Sequence, residues 1–146
     1  DKSTTCYFEN IEHQKGYLKI IKETRGGNDT FEFEIGRPPL TPQITSLTTK
    51  GDNIYGKEET PLIELDSTDS TRVKYHVYEL VLEGWSLVKA SCFLEDEISL
   101  TGASSQNGVK DIEIESNKTT TCTFENAIPT TLQLQGQTNK IYWEIF

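Results

Sequence analysis

Three polar residues in this 146-residue chain fall on rows of alternate apolar residues: Lys22 follows Leu18 and Ile20, Glu79 follows Tyr75 and Val77, and Asn126 follows Cys122 and Phe124. Alternate residues of a strand face the same side of a sheet, so each polar group is expected on the face that packs inward, with Val81 continuing the middle row. A lysine, a carboxyl group and an asparagine brought together in an apolar interior can join covalently. Burial disfavours the ammonium and leaves Lys22 partly neutral and nucleophilic. It disfavours charge on Glu79 as well, so that a protonated carboxyl can polarise the Asn126 carboxamide. Attack of the amine on that carbonyl, with Glu79 shuttling protons, expels ammonia and leaves an amide between the first and last strands. Such a step happens once, as maturation and not turnover. The plainer alternative is that all three head groups reach water from strand ends, as long charged side chains commonly do.

The elements that must hold these residues are strands. Alternating runs rich in Thr, Val, Ile, Tyr and Phe recur between clusters of Gly, Pro, Asn and Asp, at 17–23, 30–35, 43–48, 61–65, 72–82, 85–94, 109–115 and 119–126. Helical periodicity is absent. Eight such runs predict an all-β fold, an antiparallel β-sandwich. Residues 25–29 and Glu83-Gly84 read as hairpin turns. The stretch 36–42, with Pro38, Pro39 and Pro42, reads as a crossover between sheets, because proline cannot pair in a central ladder. Trp85 is expected in the core.

A second signal is a repeat. DKSTTCYFEN at residues 1–10 and NKTTTCTFEN at residues 117–126 agree at seven of ten positions. If 121–126 closes a sandwich, residues 1–10 are a closing strand without one. Residues 131–135, a turn at 136–140 and residues 141–146 look like an opening hairpin with nothing to follow. The expected organisation is a strand at 1–12 shared with a neighbouring unit, a β-sandwich over 13–127, and a terminal hairpin or the start of a next unit at 128–146. The unpaired terminal strands then find partners in adjacent tandem domains or in other copies, head to tail, with Thr5, Cys6, Tyr7 and Phe8 donated to a neighbour's sheet edge. A contact of that kind does not close on itself and builds a fibre.

Composition narrows the class. The chain is 34% apolar and carries a formal charge of −9, which argues against phosphate backbones and anionic membrane surfaces as partners. No apolar run is long enough to span a bilayer, and membrane insertion is not expected. The sequons at Asn28 and Asn117, together with the absence of Met, fit a processed, exported chain and make both asparagines candidates for N-glycosylation. In an exported chain Cys92 and Cys122 can pair across two late strands, contributing roughly 3.5 kcal/mol through the unfolded state and leaving Cys6 over. In a cytosolic one, three inert buried thiols fit equally. No CxxC is present and no metal site is expected. The acidic groups at 95–97 and 66–69 read as solvated surface. GxSxG, HExxH, Walker and EF-hand patterns are absent, so neither an enzyme nor a cofactor is expected.

The segments Tyr17 to Lys22, Tyr75 to Glu79 followed by Glu83-Gly84-Trp85, and Thr121 to Asn126 resemble the first, middle and last strands of SpaA-like or Cna B-type domains. The resemblance spans about residues 16–126. It implies a prealbumin-like, immunoglobulin-like sandwich, with Lys22 as the bond-forming lysine, Glu79 as its catalytic acid and Asn126 as the acceptor. It also implies a role in pilus shafts, adhesin stalks or other surface fibres outside the cell. The function expected is thus a structural filament module; the alternative is an adhesin or carbohydrate-binding domain using loops such as 51–61.

Overall fold

The computed structural model describes residues 1–10, 12, 14–69, 74–95, 98–133 and 141–144. Its strands are β1 (Lys15–Arg25), β2 (Thr30–Gly36), β3 (Gln43–Thr48), β4 (Lys50–Gly51), β5 (Tyr55–Glu59), β6 (Ile63–Asp66) and β7 (Tyr75–Glu79). They continue with β8 (Ser86–Leu94), β9 (Leu100–Thr101), β10 (Ala103–Ser105), β11 (Gly108–Ile112), β12 (Thr119–Ala127), β13 (Thr130–Gln133) and β14 (Ile141–Glu144). Two sheets form the sandwich. One has the order β4-β5-β1-β12-β8-β9 with β6 also on β1, and the other β10-β11-β7-β2-β3. The chain is therefore an all-β, prealbumin-like sandwich whose sheets are mainly antiparallel.

One pairing departs from the antiparallel expectation. β1 and β12 lie side by side and parallel, from Tyr17 opposite Thr119 to Arg25 opposite Ala127. Parallel neighbours need a long crossover, and here the crossover is nearly the whole domain. β12 is paired on its other side with β8. Its alternation is strict, with Thr120, Cys122, Phe124 and Asn126 buried and the residues between them partly exposed. β1 repeats that pattern through Leu18, Ile20, Lys22 and Thr24. Phe31, Phe33 and Ile35 of β2 answer from the opposite sheet, Phe33 meeting Phe124 edge-on at 5.0 Å between centroids. Each buried phenylalanine contributes about 1.5–3 kcal/mol.

Several expectations are corrected. The stretch 36–42 joins β2 to β3 within one sheet, so it is a hairpin connection and not a crossover; the prolines sit between the ladders and cost them no bond. The supposed loop 51–61 contains β5, which pairs with β1 from Ile21 to Arg25. The strand expected over 72–82 ends at Glu79, and Val81 is 81% exposed; residues 72 and 73 lie outside the described set. Trp85 is only partly buried, packing on Phe31 at 5.3 Å while its indole N–H donates to Asp29 at 3.1 Å.

The two ends lie apart from the sandwich's ladders. Residues 1–10 are exposed throughout and form no strand. β13 and β14 pair with each other alone, as a two-stranded sheet; the expected turn at 136–140 lies outside the described residues.

The sulfurs of Cys92 and Cys122 are bonded, directly across the β8–β12 pair, and both residues are fully buried. Closing 30 residues, the bridge constrains the unfolded chain. Replacing both cysteines with alanine should lower the unfolding free energy by roughly 3.5 kcal/mol in urea titrations; a loss under about 1 kcal/mol would mean that the unfolded chain is already compact across this loop.

Candidate functional site

Lys22, Glu79 and Asn126 converge between the two sheets. Lys22 and Asn126 come from the adjacent parallel strands β1 and β12, and Glu79 from the last position of β7 in the facing sheet. Parallel register explains the first contact. Lys22 stands opposite Phe124 and Thr24 opposite Asn126, so Asn126 lies one inward position beyond Lys22, within reach of the lysine's flexible stem. Next to Asn126 the β8 partner carries one extra residue. Glu125 faces Lys89 and Asn126 faces Leu87, leaving Val88 as a bulge that locally re-aims the strand. Glu79 is held from both sides, its own N–H donating to the Asn107 carbonyl at 2.7 Å and the next N–H, of Leu80, to Glu32 at 2.9 Å.

The three side chains form a closed triangle. Lys22 Nζ donates to Glu79 Oε2 at 2.8 Å and to Asn126 Oδ1 at 2.5 Å, and Asn126 Nδ2 donates to Glu79 Oε1. The lysine nitrogen also lies 4.3 Å from the centre of the Phe31 ring. Solvent reaches almost none of this: exposure is 0% for Lys22, 5% for Glu79 and 2% for Asn126. The strand-end alternative is thereby excluded for Lys22, because β1 continues past it to Arg25.

Burial pushes the Lys22 ammonium down from its ordinary value to about 8, while the nearby Glu79 carboxylate pulls in the opposite direction. Roughly a tenth of the amine is then neutral at pH 7, far more than for an ordinary lysine, with its lone pair close to a carboxamide. The arrangement can therefore bring a nucleophilic amine, an electrophilic carbonyl and a carboxyl group that touches both. Phe31 was not singled out from the sequence as part of this group. Its alternation with Phe33 and Ile35 signals an inward face, but not which facing residue it covers.

The remaining candidates are scattered. Asn28 is exposed, and its Nδ2, the atom a glycan would occupy, donates to the Asp52 carbonyl at 3.0 Å and the Gly51 carbonyl at 3.4 Å. Asn117 is exposed on a turn with a positive φ of 60°. Thr5, Cys6, Tyr7 and Phe8 are exposed on the strandless N-terminal segment. Of the acidic groups, Asp66 pairs with Lys15 and Arg37, and Asp69 accepts the Ser116 N–H. Asp96 and Glu97 lie outside the described residues. Among the described residues no cluster of three or more His, Cys, Asp or Glu is arranged to hold a metal ion, and no helix is long and apolar enough to cross a membrane.

Comparison with known families matches residues 18–128 to the prealbumin-like fold domain of the SpaA type. That interval holds Lys22, Glu79 and Asn126 and the Cys92–Cys122 bridge. No curated protein and no solved structure matches the chain.

Asn126→Ala removes the electrophile while retaining the Lys22–Glu79 pair, so it isolates the lysine's titration. The folded state holds Lys22 at about 8 and the unfolded chain near 10.5, so between these values the unfolded state binds more protons. Stability of Asn126→Ala should then rise with pH across about 8 to 10.5 and fall as pH drops through about 8, read from urea midpoints relative to the same chain with Lys22→Met. Equal slopes for the two chains would contradict the assigned lysine environment.

Proposed function

The chain belongs to the SpaA-type family of prealbumin-like fold domains, and from that premise we propose that it is a structural module of an extracellular filament, pilus or adhesin stalk, locked internally by a Lys22–Asn126 isopeptide bond and joined head to tail through shared strands. Domains of this family are surface and pilus-type modules with structural, non-enzymatic roles. The observation that carries the proposal is the buried triangle of Lys22, Glu79 and Asn126.

The bond would form in one balanced step sequence. The neutral amine of Lys22 adds to Cγ of Asn126, and Glu79 takes a proton from the attacking nitrogen and returns it to the departing one. The Cγ–Nδ2 bond breaks, ammonia leaves, and an amide remains. Water exclusion by Phe31, Phe33 and Phe124 favours this outcome over hydrolysis.

The position of the bond suits a part under tension. Force applied along the chain enters at the start of β1 and leaves at the end of β12, which are parallel neighbours. An amide from Lys22 to Asn126 would carry that force directly, and the roughly 100 residues between them would stay folded. Without it the stretch outside the Cys92–Cys122 loop could add about 250 Å of extended chain, the disulfide shielding the loop itself.

Intact-mass measurement of the purified chain should give a value one ammonia, about 17 Da, below that of its sequence with the disulfide formed. Asn126→Ala and Glu79→Ala should each abolish the deficit, and tryptic digestion should yield a branched peptide joining Lys22 to Asn126. Single-molecule stretching should show the extra length of about 250 Å in Asn126→Ala, with its disulfide intact, and not in the parent. A full mass with Lys22 free for acetylation overturns the internal lock.

A further inference from the structure

Most edges of the two sandwich sheets are guarded. β4, β9 and β10 are two or three residues long, and β6 carries Glu64 and Asp66 within its four. Shortness and charge are what keep an edge from pairing with another chain. β3 has neither. It ends the five-stranded sheet, runs six residues in unbroken register with β2, and contains no charged residue. No charge lies anywhere between Arg37 and Lys50, in a chain of formal charge −9. Among the described residues no strand lies on the far side of β3.

Its outward backbone groups follow from the ladder. The Leu80 N–H donates to the Glu32 carbonyl at 2.9 Å, so Glu32 turns its peptide groups toward β7, and Phe31 and Phe33 turn theirs toward β3. Antiparallel ladders alternate, so Leu47 and Thr45 turn theirs to β2, as does Thr49, whose N–H donates to the Asp29 carbonyl at 3.0 Å. The N–H and C=O of Ile44, Ser46 and Thr48 are left pointing away from the sheet. The side chains of the same three residues are exposed, that of Ile44 among the larger apolar ones at the surface.

We propose that this edge pairs with the same edge of a second copy, β3 against β3 in the antiparallel sense, about a two-fold axis at Ser46. Ser46 then stands opposite its own counterpart, and Ile44 opposite the counterpart of Thr48. Every outward amide and carbonyl of the three residues finds a partner, and two five-stranded sheets become one. The occupant is a second copy because the row is complementary to itself. Ile44 and Thr48 are both β-branched and make a favourable cross-strand pair, while the strand offers no charge by which an acidic or basic segment of another protein would be selected. Repulsion between two acidic chains is also small here. Glu32, beside Ser46, would lie three strand spacings or about 14 Å from its counterpart, beyond the screening length of about 8 Å at physiological salt. A single strand pair is a small contact and holds two modules weakly; repeated along a filament it would join filaments side by side. The pairing does not depend on the Lys22–Asn126 bond.

Engineered cysteines read the register directly, in a Cys6→Ser background that removes the exposed thiol. Opposite residues of a bonded antiparallel pair stand about 5.5 Å apart between Cα atoms, inside the range of a disulfide. Ser46→Cys should therefore give a covalent dimer with oxidised glutathione, faster at higher salt. Ile44→Cys and Thr48→Cys should each dimerise at least about tenfold more slowly alone, and the two mixed should give the heterodimer as fast as Ser46→Cys gives its dimer. Adding Ser46→Pro to both chains of that mixture removes an outward N–H and no bond to β2, and should slow the heterodimer at least about tenfold. If the proline chain does not fold, Ser46→Asp sets two carboxylates opposite one another and should slow it likewise. Equal rates for the three single-cysteine chains, a heterodimer indifferent to Ser46→Pro and Ser46→Asp, or a Ser46→Cys chain that stays monomeric overturns the pairing, the last leaving this edge to a different partner.

Discussion

Taking the Lys22 ammonium out of water costs several kcal/mol, and the architecture around it is what offsets that cost. Glu79 supplies the opposite charge from the facing sheet, Asn126 supplies a carbonyl from the adjacent strand, and Phe31 presents the negative face of its ring. Removing Glu79 alone would leave an uncompensated charge in the interior. The group is therefore a mutual dependency: β1, β7 and β12 must all be in register before any one of its polar members is satisfied. A polar cluster of this kind is poor value for stability beside well-packed hydrophobes. It is also the charged group of an interior whose other buried polar residues are threonines and a serine, and the proposed bond would account for its presence.

The approach of Lys22 to Asn126 follows from topology more than from local structure. β1 and β12 are neighbours only because the chain's first and last sandwich strands run parallel, and parallel register places Asn126 one inward step beyond Lys22. In an antiparallel pair the rows would run in opposite directions and bring other residues together. The Val88 bulge, the ladder bonds flanking Glu79 and the Cys92–Cys122 bridge on the far side of β12 all restrict the freedom of the same three side chains.

Much of this was legible in the sequence, and for a specific reason. The inward rows of β1, β7 and β12 are strictly alternating, so a polar residue on them is conspicuous, and both Lys22 and Asn126 sit inside long strands where parity cannot drift. Val81 fails the same reasoning because β7 stops at Glu79, and parity has no meaning past a strand's end. β5 was missed because Tyr55 to Glu59 carries three charged residues beside a glycine and only partial burial, a composition that looks like a loop. The Pro38-Pro39 stretch marks an interruption correctly, but proline does not say whether the chain next returns to the same sheet. The parallel sense of β1 and β12 has no local signature at all, since the alternation of a strand is the same in either direction.

That pairing also dictates an order of events. A contact between residues more than a hundred positions apart pays a large loop-closure entropy and raises the contact order, both of which slow folding. Until β12 arrives, β1 and β8 are edges with unpaired amides and an open apolar seam between them. The chain must therefore survive as an incomplete sandwich for as long as its closing strand is delayed during synthesis. Completion of the fold is a single late insertion, and the nascent molecule is most vulnerable to aggregation just before it.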